Sequence, residues 1–225
     1  MSVKLVCYSK ATEEFEAEGL ENLQDLIAFC AKVSNPSAQI NKETSEKLIK
    51  FLIKHNHWSP LEMVNATLEI ETTRDIAHQI VRHRSFAFQE FSQRYAEPKE
   101  MGEMFVLSEA RMQDPKNRQN SVETENEYIK ERWEEEQLKV IMRAQTAYEW
   151  AIDNGIAKEQ ARKVLPEGLT KTRLYMQGSI RSWVHYIELR SSHGTQKEHM
   201  EIAHHCAKVI AEIFPLAEDM THESK

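Results

Sequence analysis

The sequence predicts an α/β (α+β) protein, a mostly antiparallel or mixed central sheet of a few long strands with several helices packed over it. Two observations lead there. Apolar residues alternate with period two over residues 65–71 and 170–177, whereas other segments repeat with the helical period, and the longest of these contains neither proline nor glycine from Val122 to Asn154. Only six glycines are present and no Gly-x-Gly-x-x-Gly run exists, so neither a Rossmann sheet nor a P-loop is supported. With 225 residues, 40% of them hydrophobic, and no Pro/Gly/Ser-rich linker, the chain reads as one domain, 1–225.

Charge and cysteines narrow the class. A net charge of -7 argues against a general nucleic-acid or anionic-membrane surface, so a local arginine cluster would meet a discrete anion such as a nucleotide phosphate. Cys7, Cys30 and Cys206 are few, odd in number and without a Cys-x-x-Cys pair, which suits a reducing compartment. Without a signal peptide or long apolar run, the expected location is the cytoplasm.

Taken in order, residues 3–8 are apolar-rich and predict a first strand. A helix through Leu23, Leu26, Ile27 and Cys30 stops before Asn35-Pro36, because the residue before proline resists helical geometry. Another spans roughly 42–55, with Leu48, Ile49, Leu52 and Ile53 inward and Asn41 or Thr44 as cap. A loop crowded with His55, His57, Ser59 and Glu62 leads into the strand 65–71. The helix opening at Thr73-Arg74-Asp75 carries Arg82, His83 and Arg84 on its last turn, followed by a strand over 90–95 in which Glu90, Ser92 and Arg94 share one face. Residues 104–107 suggest a short strand and 114–121 a polar, mobile loop. The long helix is capped by Ser121 and Thr124, turns Ile129, Trp133, Val140, Ile141, Ala144 and Tyr148 inward, and stops at Asn154-Gly155. A shorter helix over 157–165 ends at Pro166. The strand 170–177 then feeds a helix over 179–190, and a last helix carries His199, His204, His205 and Cys206 with Ile202, Ala203, Val209, Ile210 and Ile213. Cys206 is assigned to the core and no metal site is predicted.

One stretch reads as a site. Residues 79–95 hold three Arg, a His, a Glu, two Ser and Gln79 among apolar positions. Arg82-His83-Arg84, seven residues, then Ser92-Gln93-Arg94 resembles the signature of the flavin-dependent thymidylate synthases. Further resemblances lie in His57-Trp58-Ser59-Pro60-Leu61-Glu62, in Ala161-Arg162-Lys163-Val164-Leu165-Pro166, and in the segment from Ser179 to Arg190. Departures are Ser179 and His185, where many relatives have Asn, and the run from Ser191 to Gln196.

The resemblance implies that Gln79, Glu90, Ser92, Arg94, Arg162 and Arg190 hold deoxyuridylate (dUMP), Arg190 at the pyrimidine carbonyl. It places Ser59, Glu62, Arg82, His83, Arg84, Ser85, Ser179, Arg181 and His185 at FAD, with Arg190, Ser92 and His57 nearest the chemistry. Ser92 is expected to orient the substrate rather than attack it, since an alcohol without an aligned base is a poor nucleophile. The implied reaction is reductive methylation of dUMP: 5,10-methylenetetrahydrofolate gives the carbon, NADPH reduces FAD, and a homotetramer builds its sites between subunits. Two alternatives stay open at this point: hydroxymethyl transfer to the same substrate, and a non-catalytic nucleotide or RNA binder.

Overall fold

The computed structural model of the protein describes residues 1–221. Its centre is a four-stranded antiparallel sheet in the order β1 (Ser2–Tyr8), β2 (Asn65–Thr73), β6 (Lys171–Ser179), β3 (Ala87–Glu90). The period-two pattern sets the register. Ala66, Leu68 and Ile70 of β2 pair with Gly178, Met176 and Leu174 of β6, and these side chains are buried on one face. On the other face Glu69 accepts from the Tyr175 hydroxyl at 2.9 Å and Glu71 pairs with Arg173, a polar ladder of cross-strand partners.

The apolar face is covered by three helices: α4 (Arg74–Ile80), α7 (Ile180–Arg190) and α8 (Lys197–Ala211). Ile76, Ala77, Ile80, Trp183, Ile187, Ile202, Cys206 and Ile210 join the strand residues in one cluster. Trp183 is fully buried, and its indole N–H finds the Ala66 carbonyl at 3.1 Å, so its polar atom carries no burial cost. The helices α1 (Glu13–Ala17), α2 (Leu23–Ala31) and α3 (Ser45–Lys54) come before β2. Asn22 caps α2, and α3 ends in a Schellman motif: Asn56, at φ 58°, and His57 return their N–H groups to Ile53 and Leu52.

Gly178 has a reason to be glycine. A Cβ there would lie 2.5 Å from the Phe86 ring, which crosses β6 and stacks edge-on against Trp183 at 4.9 Å.

The remaining elements are β4 (Arg111–Gln113), β5 (Ser121–Glu123), α5 (Glu127–Asp153) and α6 (Lys158–Ala161). Several expectations change. Residues 114–120 form the polar loop that closes the β4–β5 hairpin, where Asp114 accepts from the Lys116 and Asn117 amides, and Ser121 opens β5. Because β5 takes residues 121–123, the long helix starts later, capped by the Asn126 side chain instead of Ser121 or Thr124. Its inward face is Gln137, Ala144, Tyr148 and Ala151, while Trp133 and Val140 stay exposed, since only one narrow stripe of α5 meets the rest of the chain. It stops as expected, with Gly155 at φ 75° and a Schellman pair from Gly155 and Ile156. In place of a strand over 104–107 there is a single bridge, Phe105 to Thr170. The helix expected over 157–165 is α6 continued by a 3-10 turn, Arg162–Val164.

Candidate active site

The two ends of the sheet divide the predicted site residues into two groups. At the end where β6 finishes, three pieces of chain converge: the 3-10 turn Ser59–Glu62, the turn after α4, and the start of α7. Helix α4 ends at Ile80, so Arg82, His83 and Arg84 lie in a tight turn and not on its last helical turn. The N–H groups of Arg82 and His83 reach back three residues to Gln79 and Ile80, a tightening that lets the chain leave the helix axis and send Phe86 across Gly178.

Ser179 caps α7 by accepting from the Ser182 amide at 3.3 Å, and the Ser182 hydroxyl donates to the Ser85 carbonyl at 3.3 Å. That link ties the first turn of α7 to the arginine turn. Glu62 accepts from Arg181 at 2.6 Å, joining two predicted cofactor residues as an ion pair. The His185 ring packs against Trp58 with centroids 4.4 Å apart. His57 is exposed near Phe51 and His55, with centroids 6.2 and 6.4 Å away.

Beside this turn Arg190, at the end of α7, donates from Nε to His83 Nε2 at 2.9 Å. Arginine has no acceptor, so His83 Nε2 must be bare and the ring neutral with its proton on Nδ1. Burial, with the Arg190 charge second, pushes the His83 pKa down to about 4. Behind it the buried His199 and Tyr186, which sequence reading did not assign to the site, reach Gln79, which it did. His199 contacts Tyr186 Oη at 3.1 Å through Nε2 and Gln79 Oε1 at 3.2 Å through Nδ1, and Gln79 Nε2 donates to Gln196 Oε1 at 2.7 Å. Burial, then Arg190 and His83, push the His199 pKa down to about 3. The only sequence signal was a histidine on the apolar stripe of α8, and that pattern also fits a core histidine.

The second group sits at the other end of the sheet. From Ala87 to Glu90, β3 moves about 10 Å away from the arginine turn, at a little over 3 Å per residue. Glu90 there accepts from Arg74 at 3.2 Å and from Thr172 at 2.9 Å, and Arg74 also pairs with Glu167. Arg74 is a contact the sequence reading missed. The expected strand over 90–95 is absent: Phe91 makes the last bond to β6, and Ser92 folds the chain into a turn by accepting from the Tyr95 and Ala96 amides. The Ser92 hydroxyl takes the Arg94 amide at 3.4 Å, a local bond that competes with a ladder. Glu90, Ser92 and Arg94 therefore do not form one face. Arg94 pairs with Glu159 at 3.4 Å across to α6, next to the turn bearing Arg162. Among the described residues no hydrogen bond, ion pair or ring contact joins this group to Gln79, His83 or Arg190.

Neutral His83 and His199 have a consequence for stability. Their folded-state values, about 4 and about 3, lie below the ordinary 6.5, so the unfolded chain binds more protons from 6.5 down to those values and stability must fall as pH drops through that window. The contribution is full above pH 6.5. Thermal melts in that range are expected to show a shallower acid slope for His199→Asn than for the parent.

Exposed arginines, a capped helix start and a neutral histidine bound to a guanidinium define a class: an α+β protein with a cluster of arginines at one end of an antiparallel sheet. The sequence profile described as "Thymidylate synthase complementing protein" matches residues 18–216. A "Probable flavin-dependent thymidylate synthase" of Paramecium bursaria Chlorella virus 1 is 47% identical over 215 residues, covering 96% of each chain. A "Flavin-dependent thymidylate synthase" of Synechocystis sp. is 46% identical over the same span and coverage. The chain belongs to the flavin-dependent thymidylate synthase family. Its fold also resembles a solved UMP/dUMP methylase from Streptomyces cacaoi, with a TM-score of 0.77 at 22% identity over 97% of this chain and 93% of that one.

The donor set suits a flavin dinucleotide. Arg82 and Arg84 are exposed, and among the described residues neither guanidinium has a side-chain partner, leaving two planar cationic forks free for a pyrophosphate beside the start of α7.

Proposed function

We propose that this protein makes deoxythymidylate by reductive methylation of dUMP, with 5,10-methylenetetrahydrofolate as carbon donor and FAD, reduced by NADPH, as hydride carrier. The observation that carries the reading is Arg190 docked on neutral His83 within the Arg82–His83–Arg84 turn of a family member. Bound FAD would supply the hydride. The protein's own part is to bind, orient and hold charge.

In this reading Arg82 and Arg84, with Ser85, Ser59, Ser179 and His185, hold FAD, and the Glu62–Arg181 pair stiffens the floor between them. His83 accepts from Arg190 Nε, so the guanidinium is held in one plane and its terminal N–H groups remain for a pyrimidine carbonyl. Gln79 offers its amide to the same ring. Glu90, Ser92, Arg94 and Arg162 would complete the nucleotide site, and since they lie at the far end of the sheet on this chain, we assign them to the site of a neighbouring subunit. A homotetramer with shared sites is consistent with the exposed apolar residues Trp133, Leu138, Val140, Met142 and Trp150 along α5. Few, widely spaced cysteines support a reducing, cytoplasmic setting. No helix among the described residues is long and apolar enough to cross a membrane.

The test is product analysis after incubation with dUMP, methylenetetrahydrofolate, NADPH and FAD. Deoxythymidylate is expected; a hydroxymethylated product or no FAD uptake would overturn the reading. A thiolate should be dispensable as well. Cys206 is buried and its thiol is pushed well up by burial, while Cys7 is exposed and Cys30 partly buried. Changing all three to Ala is expected to leave turnover measurable in protein that stays folded and flavin-loaded, with some loss of Tm from the Cys206 position. Abolished turnover in such protein would contradict a cysteine-free mechanism.

A further inference from the structure

His199 is fully buried on the first turn of α8, and both ring nitrogens are engaged. With the Gln79 amide placed as it is, one proton arrangement satisfies the set. Gln79 Nε2 donates to Gln196, so Gln79 Oε1 faces His199 and must accept from Nδ1–H. Nε2 is then bare and accepts from the Tyr186 hydroxyl. The other tautomer would set a bare Nδ1 against a carbonyl oxygen, two acceptors face to face at 3.2 Å. Tyr186 is buried in turn, wedged between the rings of His83 at 4.9 Å and Trp183 at 6.0 Å, so its hydroxyl stays against His199 Nε2.

A free glutamine can rotate its amide and offer either an acceptor or a donor. This one cannot. We propose that His199 is a positioning residue: by donating to the inward-turned carboxamide oxygen of Gln79, it keeps the amide N–H group outward, so the site selects a pyrimidine presenting a carbonyl over one presenting an amino group. One amide hydrogen engages Gln196, and the second remains for the ligand. Uracil and cytosine differ by that exchange of carbonyl for amino group, and a fixed donor facing an amino group leaves two donors in contact. The inference rests on the reading that Gln79 touches the nucleotide.

The experiment compares His199→Asn, which keeps an N–H donor near the Nδ1 position, with His199→Leu, which removes it, and with Gln79→Ala. Each FAD-loaded protein is titrated with dUMP and with deoxycytidylate (dCMP) by calorimetry, alongside flavin content and Tm. For His199→Leu the expected result is retained flavin, dUMP affinity weaker by about tenfold, and a smaller preference for dUMP over dCMP. His199→Asn is expected to stay near the parent in both. A parental dUMP/dCMP ratio in folded His199→Leu would overturn the proposal. Should that variant fail to fold, His199→Phe, which fills the ring's place and carries no donor, must lower the same ratio, and an unchanged ratio overturns the proposal equally. Gln79→Ala separates the two levels. If it leaves dUMP affinity unchanged, the substrate-contact reading falls and the inference with it; if it weakens dUMP while His199→Leu keeps the parental ratio, the inference alone falls.

Discussion

Arg190→Lys is expected to fold, to keep its FAD and to lose on the order of a hundredfold or more in turnover, the usual cost of removing one preorganised donor from developing negative charge. The positive charge survives the change. Lost are the Nε–H that grips His83 and the planar pair of terminal donors, which a flexible ammonium cannot reproduce. An opposing view would make Arg190 a salt bridge at the end of α7, worth at most about 1 kcal/mol, for which lysine would serve. The structure gives that view little to use, because the partner of Arg190 Nε is a neutral imidazole and not a carboxylate. Single-turnover reoxidation of reduced flavin with dUMP and methylenetetrahydrofolate is the measurement. A near-parental rate in Arg190→Lys would remove this residue from the reacting centre.

Arg82→Ala and Arg84→Ala are each expected to weaken FAD binding about tenfold, and the double variant about a hundredfold, as each removes a charge-assisted donor from a pyrophosphate. Fold stability should barely move. Both side chains are exposed and without a side-chain partner among the described residues, so nothing in the folded chain is left unpaired by their removal. Paired titrations of FAD and dUMP decide the matter. If only the dUMP affinity fell, the two ligand sides of the turn would have to be exchanged.

How much of this was legible beforehand depends on the range of the interaction. The Arg82–His83–Arg84 signature could be read at once, because the residues are contiguous, but their backbone could not. Sequence periodicity extends the α4 helix through Arg84, whereas the packing of Phe86 over Gly178, ninety-odd residues away in the chain, draws the backbone into a turn. The same holds for Glu90, Ser92 and Arg94, whose alternation mimics a strand although β6 offers no pairing beyond Arg173. Arg74, the partner of Glu90, carried no pattern at all.

By itself the sequence determined the elements whose signal is local: the two long alternating strands β2 and β6, the apolar stripes of α7 and α8, the stop of α5 at Asn154-Gly155, and the family signature. These follow from side-chain periodicity and backbone preference within a few residues. Only the tertiary structure decided that the predicted ligands divide between two ends of one sheet, that Glu62 meets Arg181, that Arg190 meets His83, and that His199 joins Tyr186 to Gln79. Those pairings join residues far apart in the chain, and a polar atom's partner is chosen by which groups are buried together when the core closes.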